Sequence, residues 1–149
     1  MKHICVGDVV KTHKCYEGMD FTFDSHILDE EKLLNVMEIM VDTAAKESLG
    51  LIVDFHSCDL FPERWFDLVL VLRADTEVLF DRLTLRGYSD KKRAENVECE
   101  IMQVVLDEAR ESYAPEIVHE IPSNTTQEMV SNINRIEQWC QQWLIDNNT

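Results

Sequence analysis

Glycine and proline are scarce in this sequence, four and three residues in a chain of 149. The glycines, Gly7, Gly18, Gly50 and Gly87, stand too far apart for G-x-G-x-x-G or G-x-x-x-x-G-K-[ST], and none precedes Lys-Ser or Lys-Thr. The 149 residues therefore contain neither a dinucleotide fingerprint nor a phosphate loop, and a G-x-S-x-G elbow, an H-E-x-x-H helix and an EF-hand loop are missing as well. Positive charge is also short. With 14 Lys+Arg against 29 Asp+Glu the net charge is −15, which argues against a general grip on nucleic acid or anionic membrane and confines any phosphate contact to a local site. Apolar runs such as residues 49–53 and 68–72 are far below bilayer length, and Met1-Lys2-His3-Ile4 has no apolar signal core. The five cysteines, Cys5, Cys15, Cys58, Cys99 and Cys140, are odd in number and never form C-x-x-C. That fits neither a disulfide framework nor a zinc site, so reduced thiols in a cytoplasmic or nuclear protein are expected.

What is present suffices for a core. Hydrophobic residues make up 45%, and the length predicts a single domain over residues 1–149. A strand is expected at residues 3–6, followed by residues 11–24, an ordered or semi-ordered excursion with neither a helical nor an alternating period. From Asp29 the positions Leu33, Met37, Met40 and Ala44 recur at helical spacing behind Asp29-Glu30-Glu31, which predicts an amphipathic helix ending near Gly50. Residues 49–54 and 67–73 are short continuous apolar runs, the profile of strands buried on both faces of a parallel sheet. Asp75 is placed to cap a helix through Val78, Leu79 and Leu83, and Gly87 to stop it. One further helix is expected over residues 96–112, a strand over 117–121, and a capping box of Thr125 and Glu128 opening a last helix whose inner stripe is Met129, Ile133, Ile136, Cys140 and Trp143. Buried strands alternating with helices predict an α/β layered fold whose ligands sit beyond the carboxyl ends of the strands.

At such an end stands Asp54-Phe55-His56-Ser57-Cys58-Asp59. An acid there holds Mg²⁺, directly or through water, in nucleotide-binding proteins, and a neighbouring His orients water or meets phosphate. The alternative is an acid capping its turn and a histidine satisfied by backbone. Arg82, Arg86, Lys91, Lys92 and Arg93 gather five of the fourteen basic residues. They suit a phosphate clamp on a closing loop, or a solvated helix face paired with Asp81, Asp90 and Glu95. In Phe61-Pro62-Glu63-Arg64-Trp65-Phe66, Arg64 meets either a ligand phosphate or a nearby acid.

The segment from Val53-Asp54 through Phe61-Pro62-Glu63-Arg64-Trp65-Phe66, with Leu85-Arg86-Gly87-Tyr88 and Asn96-Val97-Glu98-Cys99-Glu100-Ile101, resembles the adenylate kinase isoenzyme 6 family, coilin-interacting nuclear ATPases linked to small-subunit ribosome maturation. Val6-Gly7-Asp8, Ile27-Leu28-Asp29-Glu30 and the stretch from Glu116-Ile117-Val118-His119 through Pro122-Ser123-Asn124 to Trp139 and Trp143 extend the likeness over the whole chain. The resemblance implies a three-layer P-loop nucleoside monophosphate kinase fold, adenylate kinase and ATPase activity on ATP and AMP with Mg²⁺, and a nuclear and cytoplasmic location. It makes residues 5–28 the monophosphate-binding region and residues 85–95 the lid. It makes Asp54 the Walker B acid and Mg²⁺ holder with His56 as its catalytic companion, and it places Arg86, Lys11, Gly7, Asp8 and Arg64 toward nucleotide. Family members open with a strand, a Gly-Lys-Thr loop and a helix. This chain opens where their second strand lies, so roughly thirty residues of a first strand-loop-helix unit are expected to be absent, and phosphoryl transfer would lose much of its positioning. A chain at −15 suits a second reading too: an acidic interaction module for a basic small-subunit ribosomal protein, with no membrane and no direct sequence-specific nucleic acid contact.

Overall fold

A computed structural model describes residues 1–20 and 25–148. These fall into two compact units, Met1–Asp67 and Leu68–Thr149. Among the described residues no helix is long and apolar enough to cross a membrane.

In the first unit β1 (Lys2–Cys5) runs parallel to β4 (Leu51–Asp54), with Lys2 opposite Leu51 and Cys5 opposite Asp54. Between them come α1 (Val6–His13), the antiparallel pair β2 (Tyr16–Asp20) and β3 (Ser25–Leu28), and α2 (Glu30–Lys46). The core holds Ile4, Val6, Val9, Cys15, Leu33, Met37 and Phe61, so α1 and α2 bury their apolar stripes on one side of the strand pair. Asp29, expected as first-turn charge, is the cap of α2, its Oδ1 accepting from the Lys32 N–H at 3.1 Å. The helix ends at Lys46 rather than near Gly50, because Ser48 takes the left-handed turn at φ +55°. Where a strand was expected to run through Val6, the strand stops at Cys5 and α1 begins. The excursion of residues 11–24 holds the end of this helix and β2, its residues 21–24 lying outside the described residues.

In the second unit β5 (Val69–Arg73) runs parallel to β6 (Val118–Pro122). The helices are α3 (Thr76–Leu85), α4 (Asp90–Ile101), α5 (Val104–Ser112) and α6 (Thr126–Asn147). Val71, Leu83, Leu106, Ala109, Tyr113 and Ile121 are its buried apolar residues. Gly87 ends the α3 turn at φ +74°, a conformation glycine adopts without strain. The helix expected over residues 96–112 is instead two, α4 starting earlier at its Ser89 cap and breaking at Gln103, whose φ is +56°. Thr125 caps α6 by accepting from the Glu128 N–H at 3.1 Å, but Glu128 reaches back to the Asn124 N–H at 2.8 Å, one residue before the expected one.

The α/β class with parallel strands stands. Burial on both strand faces does not: Ile52 is 50% and Leu72 61% exposed. Among the described residues β4 pairs with β1 alone and β5 with β6 alone, and Ile52 and Leu72 project to the face opposite Val53 and Val71, which is left open in each pair. The inner stripe of α6 is likewise half covered, with Met129 and Ile133 about as exposed as Ile52 and with Asn132 buried between them, its amide donating to the Pro122 carbonyl at 2.7 Å.

Candidate functional site

Parallel pairing brings the carboxyl ends of β1 and β4 to one edge, since Cys5 stands opposite Asp54. The chain leaves β1 directly into the first turn of α1, with Gly7 and Asp8, and leaves β4 into Phe55 and His56. Four of the residues singled out in the sequence thus share one strand-end edge. Unpaired N–H groups of a helix first turn favour negative charge; Asp8 already supplies one there. Gly7 is not dictated by packing, for an added Cβ would meet only Cys5 Sγ at an ordinary 3.8 Å. Lys11, in the last turn of α1, is exposed.

Asp54 is exposed and its Oδ2 bonds the His3 imidazole Nε2. His3 lies 51 residues away in sequence, on the neighbouring strand, and no local pattern could have pointed to it. His56 leans on the Phe55 ring with centroids 4.1 Å apart, and Phe55 leads through Phe61 to Trp65 and Phe66 at centroid distances near 6 Å. His56 is exposed as a whole, yet partial desolvation of its ring, which lies on Phe55, lowers its pKa below the ordinary value. His56 is thereby kept neutral near pH 7, able to accept a proton or a hydrogen bond. Asp59 accepts from the Ser57 hydroxyl at 2.8 Å within the turn. Arg64 sits on Glu38, its Nη2 within 2.7 Å of both carboxylate oxygens, which ties the short 3-10 turn Glu63–Trp65 to α2.

The basic cluster of the second unit separates into different jobs. Arg82 donates to the carbonyls of Ser123 at 2.6 Å and Asn124 at 3.1 Å. Arg93 donates to Asp90 at 2.6 Å and Thr84 at 3.2 Å while lying 4.4 Å over the Phe80 ring, and Lys92 stands 4.6 Å over Tyr88. Arg86, at the end of α3, is exposed and makes no side-chain hydrogen bond among the described residues. Of the two readings of this cluster, Arg93 on Asp90 fits the paired helix face, while Arg86 is left toward solvent.

Comparison with known proteins decides the lineage. The family model described as AAA domain matches residues 1–103. The chain is 48% identical over 148 residues to an adenylate kinase isoenzyme 6 homolog of Dictyostelium discoideum, covering 99% of this chain and 82% of that protein. It is 46% identical to the homolog FAP7 of Saccharomyces cerevisiae, covering 96% and 70%, and 46% identical to the homolog HBR1 of Candida albicans, covering 94% and 54%. The chain belongs to the adenylate kinase isoenzyme 6 family.

For a member of the adenylate kinase isoenzyme 6 family, the donor set at Asp54 bears on Mg²⁺. Among the described residues no three His, Cys, Asp or Glu side chains gather into a metal cage. A lone exposed carboxylate at a strand end nevertheless fits this ion, which keeps several waters and is held by one or two carboxylates together with substrate phosphates. In this isoenzyme 6 member, Arg73 at the carboxyl end of β5 is the residue that sequence reasoning passed over. Its Nε donates to Glu100 at 2.5 Å and its Nη1 to Glu120 at 3.2 Å, contacts 27 and 47 residues apart in sequence that no local spacing announces.

Proposed function

We propose that this chain carries the nucleotide-handling part of an adenylate kinase that moves the γ-phosphoryl group of ATP to an α-phosphate oxygen of AMP, giving two ADP, and that also passes it to water, giving ADP and phosphate. The work is assigned to small ribosomal subunit maturation in the nucleus and cytoplasm. The observation that supports it is an exposed acid, Asp54, at the carboxyl end of β4, followed two residues on by His56, whose pKa lies below its ordinary value. Asp54 would hold the Mg²⁺ that arrives with ATP, an ion that neutralises charge developing on the transferred group. His56 would orient the attacking oxygen or take its proton. Arg86 would meet phosphate from the lid, with Lys11, Gly7, Asp8 and Arg64 toward the nucleotides; Arg64 must first leave Glu38.

The test measures ADP formed from ATP and AMP by the chain as it stands and with the Gly-Lys-Thr strand-loop-helix of a relative joined ahead of it. His56→Ala and Arg86→Ala should each lower the rate roughly a hundredfold. No activity in the joined protein, or rates untouched by both changes, sinks the reading.

A second reading rests on the charge of −15: a non-catalytic module docking a basic small-subunit ribosomal protein, since complementary charge speeds encounter and suppresses wrong partners. It predicts salt-sensitive binding without nucleotide. Absence of binding to such a protein at low ionic strength refutes it.

A further inference from the structure

The arm that carries Arg86 is built from α3 and α4, which pack side by side with the tip Leu85-Arg86-Gly87 in solvent, Leu85 being 88% exposed. Arg93 of α4 grips Thr84 and Phe80 of α3, so the two helices form one body. At its α3 side, Arg82 fixes the arm to the carbonyls that follow β6. At its α4 side the helical ladder stops immediately after Ile101, because Gln103 turns left-handed and α5 starts afresh. A continuous helix would carry the direction of α5 into α4; a break does not. Something else must hold the lower end of α4.

Glu100 stands at that point, one residue before the end of α4. Its Oε1 accepts from Arg73 Nε at 2.5 Å and from the Ala74 N–H at 3.4 Å, and its backbone carbonyl accepts from Arg73 Nη2 at 3.2 Å. Both side chains are largely buried, Arg73 19% and Glu100 17% exposed, and hydrogen-bonded charge pairs shielded from water are far stronger than surface ones. The opposite side of the Arg73 guanidinium meets Glu120, which also receives Arg110 at 3.6 Å.

We propose that Glu100 is a positioning residue, which through Arg73 clamps the foot of α4 to the carboxyl end of β5 and so fixes the direction in which the arm presents Arg86. The consequence for nucleotide rests on the reading of Arg86 given above; the clamp itself does not, and it is tested without nucleotide. Amide hydrogen exchange on the full chain compares the wild type with Glu100→Ala, which removes the acceptor that a glutamine would keep, and with Glu120→Ala. In E100A the amides of α4 should exchange roughly tenfold faster while those of β5 and β6 keep their rates, the pattern of one element opening by itself. In E120A the α4 amides should keep wild-type rates. Unchanged α4 exchange in E100A overturns the clamp, as does equal acceleration over α4, β5 and β6. Loosening of α4 by E120A as large as that by E100A overturns it too, since Arg73 would then act through its charge balance and not through the bond to Glu100.

Discussion

Two strands in this chain run parallel to a single partner and end in a charged residue, and the two ends are treated in opposite ways. At the end of β4 the Asp54 side chain is 58% exposed and, among the described residues, bonded only to the His3 imidazole, itself 61% exposed. At the end of β5 the Arg73 side chain is 19% exposed and held by two carboxylates and a turn of backbone. An exposed acid two residues from His56 can meet a ligand, whereas a guanidinium with each of its three nitrogens bonded is a joint of the scaffold. Position at a carboxyl strand end marks where chemistry is possible; the occupancy of the donors decides whether it happens.

The sharpest way to break this contrast is to remove each charge in turn and follow urea unfolding. Arg73→Met leaves Glu100 and Glu120 facing one another without their shared cation, and should cost about 3 kcal/mol. Asp54→Asn removes only an exposed partner and should stay within about 0.5 kcal/mol. Equal losses would erase the distinction between joint and site.

Helix caps give the next effect and ask whether the two units depend on their helices alike. Asp29→Ala removes the acceptor for the Lys32 N–H of α2, and Thr125→Ala that for the Glu128 N–H of α6. Each should lower stability by about 1 kcal/mol in the same unfolding experiment. A loss confined to one of the two would show that the other helix start is satisfied by water.

The box at Thr125 and Glu128 was legible because acceptor and N–H lie three residues apart, whereas Asp75, expected to cap α3, makes no side-chain cap bond. Asp54 and His56 stood out in the sequence as polar residues directly after an apolar run. What failed in each unit failed for lack of reach. The break at Gln103 interrupts an apolar period, Val97, Ile101, Val104 and Val105, that continues unbroken through it, and nothing in that spacing encodes a left-handed residue. α1 is eight residues long, with Gly7 and three valines, composition that disfavours helix until Val6 and Val9 are buried. Burial on both strand faces was inferred from continuous apolar runs, but exposure depends on which face another layer covers, a property of the whole fold. The pairing of Arg93 with Asp90 lay within reach of the sequence, three residues away, but the partners of Arg82 did not, since they are backbone carbonyls 41 and 42 residues on.

Backbone strain provides a smaller pair of effects. Ser48 in the first unit and Gln103 in the second both take φ near +55°, where a side chain is disfavoured. Ser48→Gly and Gln103→Gly should each raise stability by about 0.5 kcal/mol, and Gly87→Ala at φ +74° should lower it by about 1 kcal/mol although open space surrounds its Cβ. Thermal unfolding of the three variants checks the signs. A loss with Gln103→Gly would mean that the break is held by its side chain and not tolerated by its backbone.

The finest test concerns pH and the open strand end alone. Burial against Phe55 pushes the His56 pKa below its ordinary 6.5. An unfolded chain takes up this proton as pH falls through about 6.5, while the folded chain does not until its own lower pKa is reached. Between the two values the unfolded state binds more protons, so stability declines with falling pH across that window and the contribution of His56 is flat above it. His56→Gln should flatten that part of the profile. Phe55→Ala should move the imidazole titration, followed by NMR of the ring protons, back up toward 6.5, because water returns to the ring. A midpoint for wild-type His56 at or above 6.5 would mean that the ring is already hydrated. The acid end of β4 would then be solvated on both sides, and its difference from the Arg73 end would reduce to charge, with no desolvated base beside Asp54.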